Sequence, residues 1–290
     1  MARIAIIGGG NIGEALLSGL LRAGRQTKDL VVAEKDPARA KILADKYSVQ
    51  VSSVGDAAEN ASFVIVAVKP SDVESVVDEV AQAVAQADNE SAEQVFITVA
   101  AGVTTAYYES KLPAGAPVVR VMPNAPMVVG GGVSAVAGGS FATAEQVKGV
   151  VSIFDAVGGV LTVTESQLDA VTAVSGSGPA YFFLMVEALI DAAVAEGLSR
   201  PVATELVSQT MAGSAAMLLE GLDRRQPAGD AAMGAGIDTT AAALRATVTS
   251  PGGTTAAGLR ELERGGLRAA VADAVHAAKT RSEQLGITSE

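Results

Sequence analysis

The sequence has no cysteine, no tryptophan and one histidine, His276, in 290 residues. The first absence removes disulfides, thiolate nucleophiles and every metal site built on sulfur ligands. A lone histidine cannot make a multi-histidine metal centre, and His276 shares a polar helical face with Asp273 and Lys279, where a solvated ring is expected. Aromatic residues are only 3% of the chain, while Ala, Val, Leu and Gly supply most of its apolar bulk, a composition suited to helices packed closely on a parallel sheet. Basic residues number 21 against 32 acidic ones, a net charge of −11 with no basic run of five or more, so nucleic acid is not an expected partner. No apolar stretch of about 18 residues runs free of Gly or Pro, and the first residues read as a strand rather than a signal peptide. A cytoplasmic protein with no membrane contact is expected.

What is present begins with a strand, Arg3 to Ile7, followed at once by Gly8-Gly9-Gly10-Asn11-Ile12-Gly13 and a helical run from Glu14 to Leu21. This is G-x-G-x-x-G in strand-turn-helix context, in which glycines allow the tight turn, the approach of a pyrophosphate and close helix-strand packing. A second strand, Leu30 to Ala33, ends in Glu34-Lys35-Asp36-Pro37. Glu34 stands where an acid often bonds the adenosine ribose of NAD. Lys35 and Arg39 beside it suit the 2′-phosphate of NADP instead, and a solvated charged turn is the plain alternative to both.

Phe63 to Val68 reads as a central parallel strand ending in Lys69-Pro70. Ligands in open α/β sheets lie beyond the carboxyl ends of the strands, so Ala67, Val68, Lys69 and Pro70 are expected to face a cofactor. Lys69 is also readable as a snorkelling strand-end charge. Strands at Val95 to Val99 and Val118 to Val121 lead into Ala100-Ala101-Gly102 and Met122-Pro123-Asn124, which are expected in the same crevice. Asp88 to Glu93 reads as a solvated connection, Val133 to Ala137 as a short strand, Ala144 to Asp155 as a helix and Val160 to Val163 as the last strand.

From Thr164-Glu165-Ser166-Gln167, which has capping-box spacing, the pattern is helical to the end. Ser175 to Pro179 reads as a break, Ala180 to Glu196 as a helix, and Asp223 to Gly236 as a loop or frayed segment. The domain division is therefore set at Glu165, residues 1–164 carrying a doubly wound α/β sheet and residues 165–290 forming an all-helical domain. Its helices are apolar on more than one face, so a further subunit is expected to cover them. Between two of them lies Ser250-Pro251-Gly252-Gly253-Thr254-Thr255, a loop that bares backbone N–H groups at a helix N-terminus and suits a small carboxylate. A glycine turn with a threonine N-cap is the bland alternative.

These motifs resemble the pyrroline-5-carboxylate reductase family. GGGNIGEALLSGL, AVKP at Ala67 to Pro70, AAGVT at Ala100 to Thr104, MPN at Met122 to Asn124, SGSGPAY at Ser175 to Tyr181 and TSPGGTT, followed by a helix to Gly265-Gly266, occur in that family's order across nearly the whole chain. The resemblance implies NADPH-dependent reduction of 1-pyrroline-5-carboxylate to proline, with NADH the alternative donor. It also implies a Rossmann domain joined to a helical dimerisation domain, and homodimers often gathered into larger rings such as a decamer. By position, Ile7, Gly8, Gly9, Gly10, Asn11, Ile12, Gly13, Ala67, Val68, Lys69, Pro70 and Ala101 would hold the cofactor, with Glu34 and Lys35 at its adenosine end and Asn124 by the nicotinamide. Glu165, Ser250, Gly253, Thr254 and Thr255 would lie at the substrate, the amides near Gly253 cradling its carboxylate; on the chemistry, Thr255 Oγ1 is the candidate for reaching the ring nitrogen, and complementing the first turn of its own helix is the alternative role for Glu165. Two positions depart from the family: Val54 stands where an asparagine is common, and Glu34 where small or basic residues are frequent.

The residues also bear on the chemistry directly. Oxidising a hydroxy acid calls for a Lys or His base beside the hydroxyl, and no lysine occurs from Leu161 to Ala278. Hydride addition to a cyclic imine needs little polarisation and no strong base. The competing readings are a hydroxy-acid dehydrogenase, disfavoured by the missing base, and a dinucleotide-sensing regulator, which would not need the second glycine loop.

Overall fold

Along the first strand, successive side chains enter two different cores. Ile4 and Ile6 point to one side of the sheet and Ala5 and Ile7 to the other, and all four are essentially inaccessible to water. A strand buried on both faces cannot alternate apolar with polar residues, which explains the uninterrupted apolar runs. The computed structural model describes residues 2–59, 61–86, 94–223 and 240–286.

The sheet-bearing part runs β1 (Ile4–Ile7), α1 (Asn11–Arg22), β2 (Leu30–Ala33), α2 (Pro37–Tyr47), β3 (Gln50–Ser52), α3 (Val54–Glu59), β4 (Phe63–Val66), α4 (Val73–Gln86), β5 (Val95–Thr98), α5 (Thr105–Lys111) and β6 (Val118–Met122). It continues with β7 (Gly132–Gly138), α6 (Ala144–Phe154), β8 (Gly158–Thr162) and α7 (Leu168–Val171). The eight strands lie in the order β3-β2-β1-β4-β5-β6-β7-β8, and β7 alone is antiparallel to its predecessor. Leu16, Leu17 and Leu20 of α1 with Ile153 and Phe154 of α6 fill one core; Val77 and Val80 of α4 with Tyr107 and Tyr108 of α5 fill the other. This is the expected doubly wound arrangement. Because β1 is flanked by β2 and β4, the winding reverses there, and a crevice opens at the carboxyl ends of those strands.

The helical part holds α8 (Gly178–Ala195), α9 (Arg200–Asp223), α10 (Thr240–Thr247), α11 (Thr254–Arg264) and α12 (Leu267–Leu285). Two compact units emerge: residues up to Pro179 together with those from Val275 onward, and residues Ala180–Ala274. Residues 165–179, assigned from sequence to the helical domain, thus pack with the sheet, where Leu168 is buried against Ala135 and Ala137.

One local expectation changes. The break at Ser175 to Pro179 is instead a π-helical turn, Thr172–Gly176, closed by the Ser177 N–H on the Thr172 carbonyl at 2.8 Å and running into α8. Pro179 falls at the second residue of α8, and the carbonyl its missing N–H would have met, that of Ser175, accepts the Asn124 side-chain amide at 3.2 Å. The helical run therefore spans Glu165–Ala195, 31 residues with mean hydropathy 1.5, long and apolar enough to cross a membrane by those measures. Phe182, Phe183 and Leu184 are each at least 60% exposed in the single chain, so its apolar surface wraps around the helix instead of forming one stripe. The sequence loops at Asp88 to Glu93 and Asp223 to Gly236 lie outside the described residues, apart from Asp223 at the end of α9.

The tightest backbone approach lies inside α1: a Cβ on Gly13 would sit 1.9 Å from the Gly8 carbonyl oxygen. Gly13→Ala is expected to cost about 1–3 kcal/mol by displacing the β1–α1 turn, read as a fall in thermal unfolding temperature; an unchanged value would contradict this packing.

Candidate dinucleotide site

β1 delivers the chain to Gly8, whose φ of +105° lies in the region that favours glycine, and a Cβ there would fall 2.6 Å from the Ala67 carbonyl oxygen. Gly10 caps α1 with no side-chain partner, and a Cβ on it would meet nothing within 4 Å. The loop therefore leaves open space beside the first-turn N–H groups of a 12-residue helix, where the helix dipole favours an anion.

One residue of this loop is held on both sides. The Gly9 N–H donates to Glu34 Oε2 at 2.8 Å, and the Gly9 carbonyl accepts Arg39 Nε at 2.8 Å. The Arg39 guanidinium also pairs with the Glu14 carboxylate, which accepts Lys46 Nζ at 2.9 Å and the Tyr47 hydroxyl at 2.8 Å. The Lys46 hydrogen bond is the largest influence on Glu14, and with those of Tyr47 and Arg39 it outweighs partial burial and holds the acid at about 2. Arg39 is thus committed beneath the loop. Lys35 is committed as well, donating to Asp72 Oδ2 at 2.9 Å.

A cleft of about 410 Å³ lies at the switch point. Its wall brings together Ile7, Gly8, Gly10, Glu34, Lys35, Ala67, Val68 and Lys69 among the expected residues, and adds Ser52, Ser53 and Asp72. Val54, at the start of α3, lines it too. Gly9, Asn11, Ile12, Gly13 and Pro70 adjoin these positions in the chain without forming wall, and neither Ala101 nor Asn124 lines the cleft. Lys69 is exposed and has no ion-pair partner among the described residues. The residues fit a dinucleotide: a glycine turn with room for pyrophosphate, a helix N-terminus facing it, and polar groups where β2 and β3 end.

Asn124 is 9% exposed and spends both ends of its amide on the protein, donating to the Ser175 carbonyl and accepting the Val133 N–H at 2.8 Å. Glu165 serves the N-terminus of α5 and not only that of its own helix: its oxygens accept the Thr105 N–H at 2.7 Å and the Thr105 hydroxyl at 2.6 Å. Arg120 on β6, 5% exposed, stands 3.4 Å from Glu165 and 4.0 Å from Asp169, and Asp169 accepts the hydroxyl of Ser282 at 2.7 Å. Arg120, Asp169 and Ser282 were not singled out from sequence. The available signal was an arginine inside Val118-Val119-Arg120-Val121, since a cation in a buried strand requires a carboxylate partner.

The later glycine loop belongs to the second unit. Gly252 has φ +68°, the Gly253 N–H closes a turn onto the Ser250 carbonyl at 3.1 Å, and Gly253, in extended conformation, is the N-cap of α11. Thr254 and Thr255 therefore occupy the first turn instead of the cap position expected for a threonine. Both are exposed, and their hydroxyls have no hydrogen-bond partner among the described residues. The first intrahelical bond is from Ala257 to Gly253, leaving the N–H groups of Thr254, Thr255 and Ala256 open. His276 lies exposed on α12, as its polar face implied.

Sheet order, glycine turn and cleft together define a Rossmann-type α/β protein of the nucleotide-binding class. Residues 3–102 match the family described as NADP oxidoreductase coenzyme F420-dependent, and residues 165–285 match pyrroline-5-carboxylate reductase dimerisation. The chain is 72% identical to pyrroline-5-carboxylate reductase of Mycobacterium leprae, over 100% of this chain and 99% of that protein. It is 42% identical to the enzyme of that name from Corynebacterium melassecola, over 99% of each. Among solved structures, the pyrroline-5-carboxylate reductase of Coxiella burnetii superposes with TM-score 0.85 at 33% identity over 99% of both chains. The Plasmodium falciparum pyrroline carboxylate reductase with NADP bound gives 0.81 at 28% identity, over 99% of this chain and 98% of that one. The chain belongs to the pyrroline-5-carboxylate reductase family.

The Glu14 cluster makes a pH-dependent prediction. A carboxyl held at about 2, below its ordinary 4.5, adds stability that is fully present above 4.5 and is lost as pH falls towards 2. Glu14→Gln is expected to be less stable than the parent at neutral pH, with the difference shrinking across that window, as followed by thermal unfolding. A constant difference would show that the acid is not held by these partners.

Proposed function

We propose that the protein reduces 1-pyrroline-5-carboxylate to L-proline, the last step of proline biosynthesis, with NADPH or NADH as donor. The observation that carries the reading is full-length identity of 72% to an enzyme of that name, spanning both glycine loops. The cofactor, when bound, supplies the hydride that adds to the imine carbon while the ring nitrogen gains a proton, giving the saturated ring and oxidised cofactor.

The chain's own residues bind and orient. Ile7 to Gly13, with Ala67 to Pro70, take the pyrophosphate side of the cleft, and Glu34 and Lys35 the adenosine side. Ala101 follows β5 outside the cleft wall, and Asn124 holds the Met122-Pro123-Asn124 loop through its ties to Ser175 and Val133. The open amides of Thr254, Thr255 and Ala256 take the substrate carboxylate, the Gly253 N–H being spent instead on the Ser250 carbonyl that fixes their turn, and the unpartnered Thr255 hydroxyl donates to the ring nitrogen. Glu165 acts on the substrate side by fixing the Thr105 end of α5 beside buried Arg120. With no lysine between Leu161 and Ala278, rate is expected from proximity and orientation more than from acid-base work.

The functional division is drawn at Glu165, where the match to the dimerisation family begins. Residues 165–290 form the dimerisation part, and their apolar helices are covered by a second copy, with dimers assembling further into a ring such as a decamer. The same covering removes the exposed apolar surface of α8 from solvent and makes a membrane unnecessary, in keeping with a cytoplasmic enzyme.

Three measurements test this. Oxidation of NADPH or NADH is expected with 1-pyrroline-5-carboxylate, while hydroxy acids with NADP or NAD give no reduction. Thr255→Ala is expected to lower kcat/KM about tenfold or more, the loss of roughly one hydrogen bond in the transition state. It should change thermal stability little, because Gly253 is the cap. Wild-type kcat/KM in that variant would remove Thr255 from the chemistry. Sedimentation at micromolar concentration is expected to give a dimer or larger; a stable monomer would refute the covered-helix assignment.

A further inference from the structure

We propose that Glu34 is a specificity-determining residue that penalises a 2′-phosphate on the adenosine ribose, so that charge at this one position limits the advantage of NADPH over NADH. The inference rests on the reading of the switch-point cleft as the dinucleotide site. Glu34 closes β2 and lines the cleft, at the place in a Rossmann unit where an acid meets the ribose 2′-hydroxyl. Its carboxylate is fixed there by the Gly9 N–H on Oε2 and the Asp36 N–H on Oε1, each at 2.8–2.9 Å. An anchored carboxylate keeps lone pairs for a hydroxyl donor. It has nothing to offer a phosphate that carries roughly one and a half to two negative charges at neutral pH.

The cations that would offset that repulsion are occupied. Lys35 is tied to Asp72, and Arg39 is spent on the Gly9 carbonyl and on Glu14. Lys69, the remaining cation of the wall, follows β4 on the glycine-loop side, where β1 and β4 pair through Ile7 and Val66. Asp72 and Glu79 add further negative charge to the wall. The cleft therefore receives a 2′-hydroxyl with a ready acceptor and a 2′-phosphate with an unneutralised anion.

The test is equilibrium binding of NADPH and NADH at low ionic strength, followed by calorimetry, with no turnover required. Glu34→Gln keeps one acceptor for the Gly9 N–H, while the exposed Asp36 N–H turns to water, so the variant removes charge with little change of shape. It is expected to strengthen NADPH relative to NADH by roughly fivefold, an effect that fades as salt is added. Asp72→Asn leaves the Gly9 clamp intact and frees Lys35, and is expected to shift the ratio in the same direction. Thermal unfolding of both variants checks that they are folded. An unchanged ratio in Glu34→Gln, or equal weakening of both cofactors, overturns the proposal and leaves Glu34 as a loop clamp only; if that variant does not fold, an unchanged ratio in Asp72→Asn overturns it. Failure of the unmodified protein to bind either cofactor would instead remove the dinucleotide reading of the cleft, a separate outcome.

Discussion

The backbone of Gly9 is the point on which the first half of the molecule turns. Its N–H is held by a side chain from the end of β2 and its carbonyl by a side chain from α2, so the loop between β1 and α1 is fixed by the two elements that follow it. A glycine-rich loop left alone would sample many backbone states, and the entropy of fixing it is a cost per residue of about 1–2 kcal/mol. Here that cost is met partly by hydrogen bonds to charged groups, which are stronger than neutral ones. The consequence for the proposed function is that the open N–H groups at the start of α1 are held in place before any ligand arrives. The same arrangement explains why Glu34 and Arg39 have so little freedom left: both were drawn on to build the loop.

A second constraint operates where β5 and β6 end. Arg120 is a cation in an apolar strand, and stripping one from water costs several kcal/mol unless partners and geometry are good. Glu165 and Asp169 supply the partners. Glu165 holds the start of α5 through both of its oxygens, and Asp169 holds Ser282 near the end of α12, itself 4% exposed. Beside them Gly102, at φ +79°, brings its backbone against Leu285 so closely that a Cβ would meet that residue's carbonyl at 3.0 Å. The loop after β5 is thus pinned from two sides by a single polar network, and removing one member would leave a buried charge uncompensated.

Much of the sheet was legible in the sequence because its central strands are buried on both faces and admit little but Val, Ile, Ala and Phe. β3 escaped notice for the opposite reason: three residues at the sheet edge, Gln50–Ser52, are incompletely buried and carry no such signature. The π-turn at Thr172–Gly176 was also invisible locally, since Gly and Pro spell a break unless a distant group replaces the missing hydrogen bond. Asn124, some fifty residues earlier in the chain, provides that group, and no reading of the segment by itself reveals it. The glycine loop and its acid were readable as a motif with a mechanism. The commitments of Lys35 to Asp72 and Arg39 to Glu14 were not, because they join residues 25 to 37 positions apart whose proximity depends on the packing of α1, α2 and the turn after β4.

The same separation between motif and environment bears on the later loop. A threonine after two glycines suggests a cap, but the turn onto Ser250 sets Gly253 extended directly before the helix and moves both threonines one step inward. Had Thr255 been the cap, its hydroxyl would have been consumed by a backbone N–H and unable to serve a ligand. With glycine as the cap, the helix loses roughly a few tenths of a kcal/mol compared with a good capping side chain and keeps both an open set of N–H donors and a free hydroxyl. A small carboxylated ring demands both, since its anion needs several donors converging at one point and its nitrogen needs one donor set to the side. On the proposed reaction, the N-terminus of α11 has given up a little local stability for a surface that can make those two contacts at once.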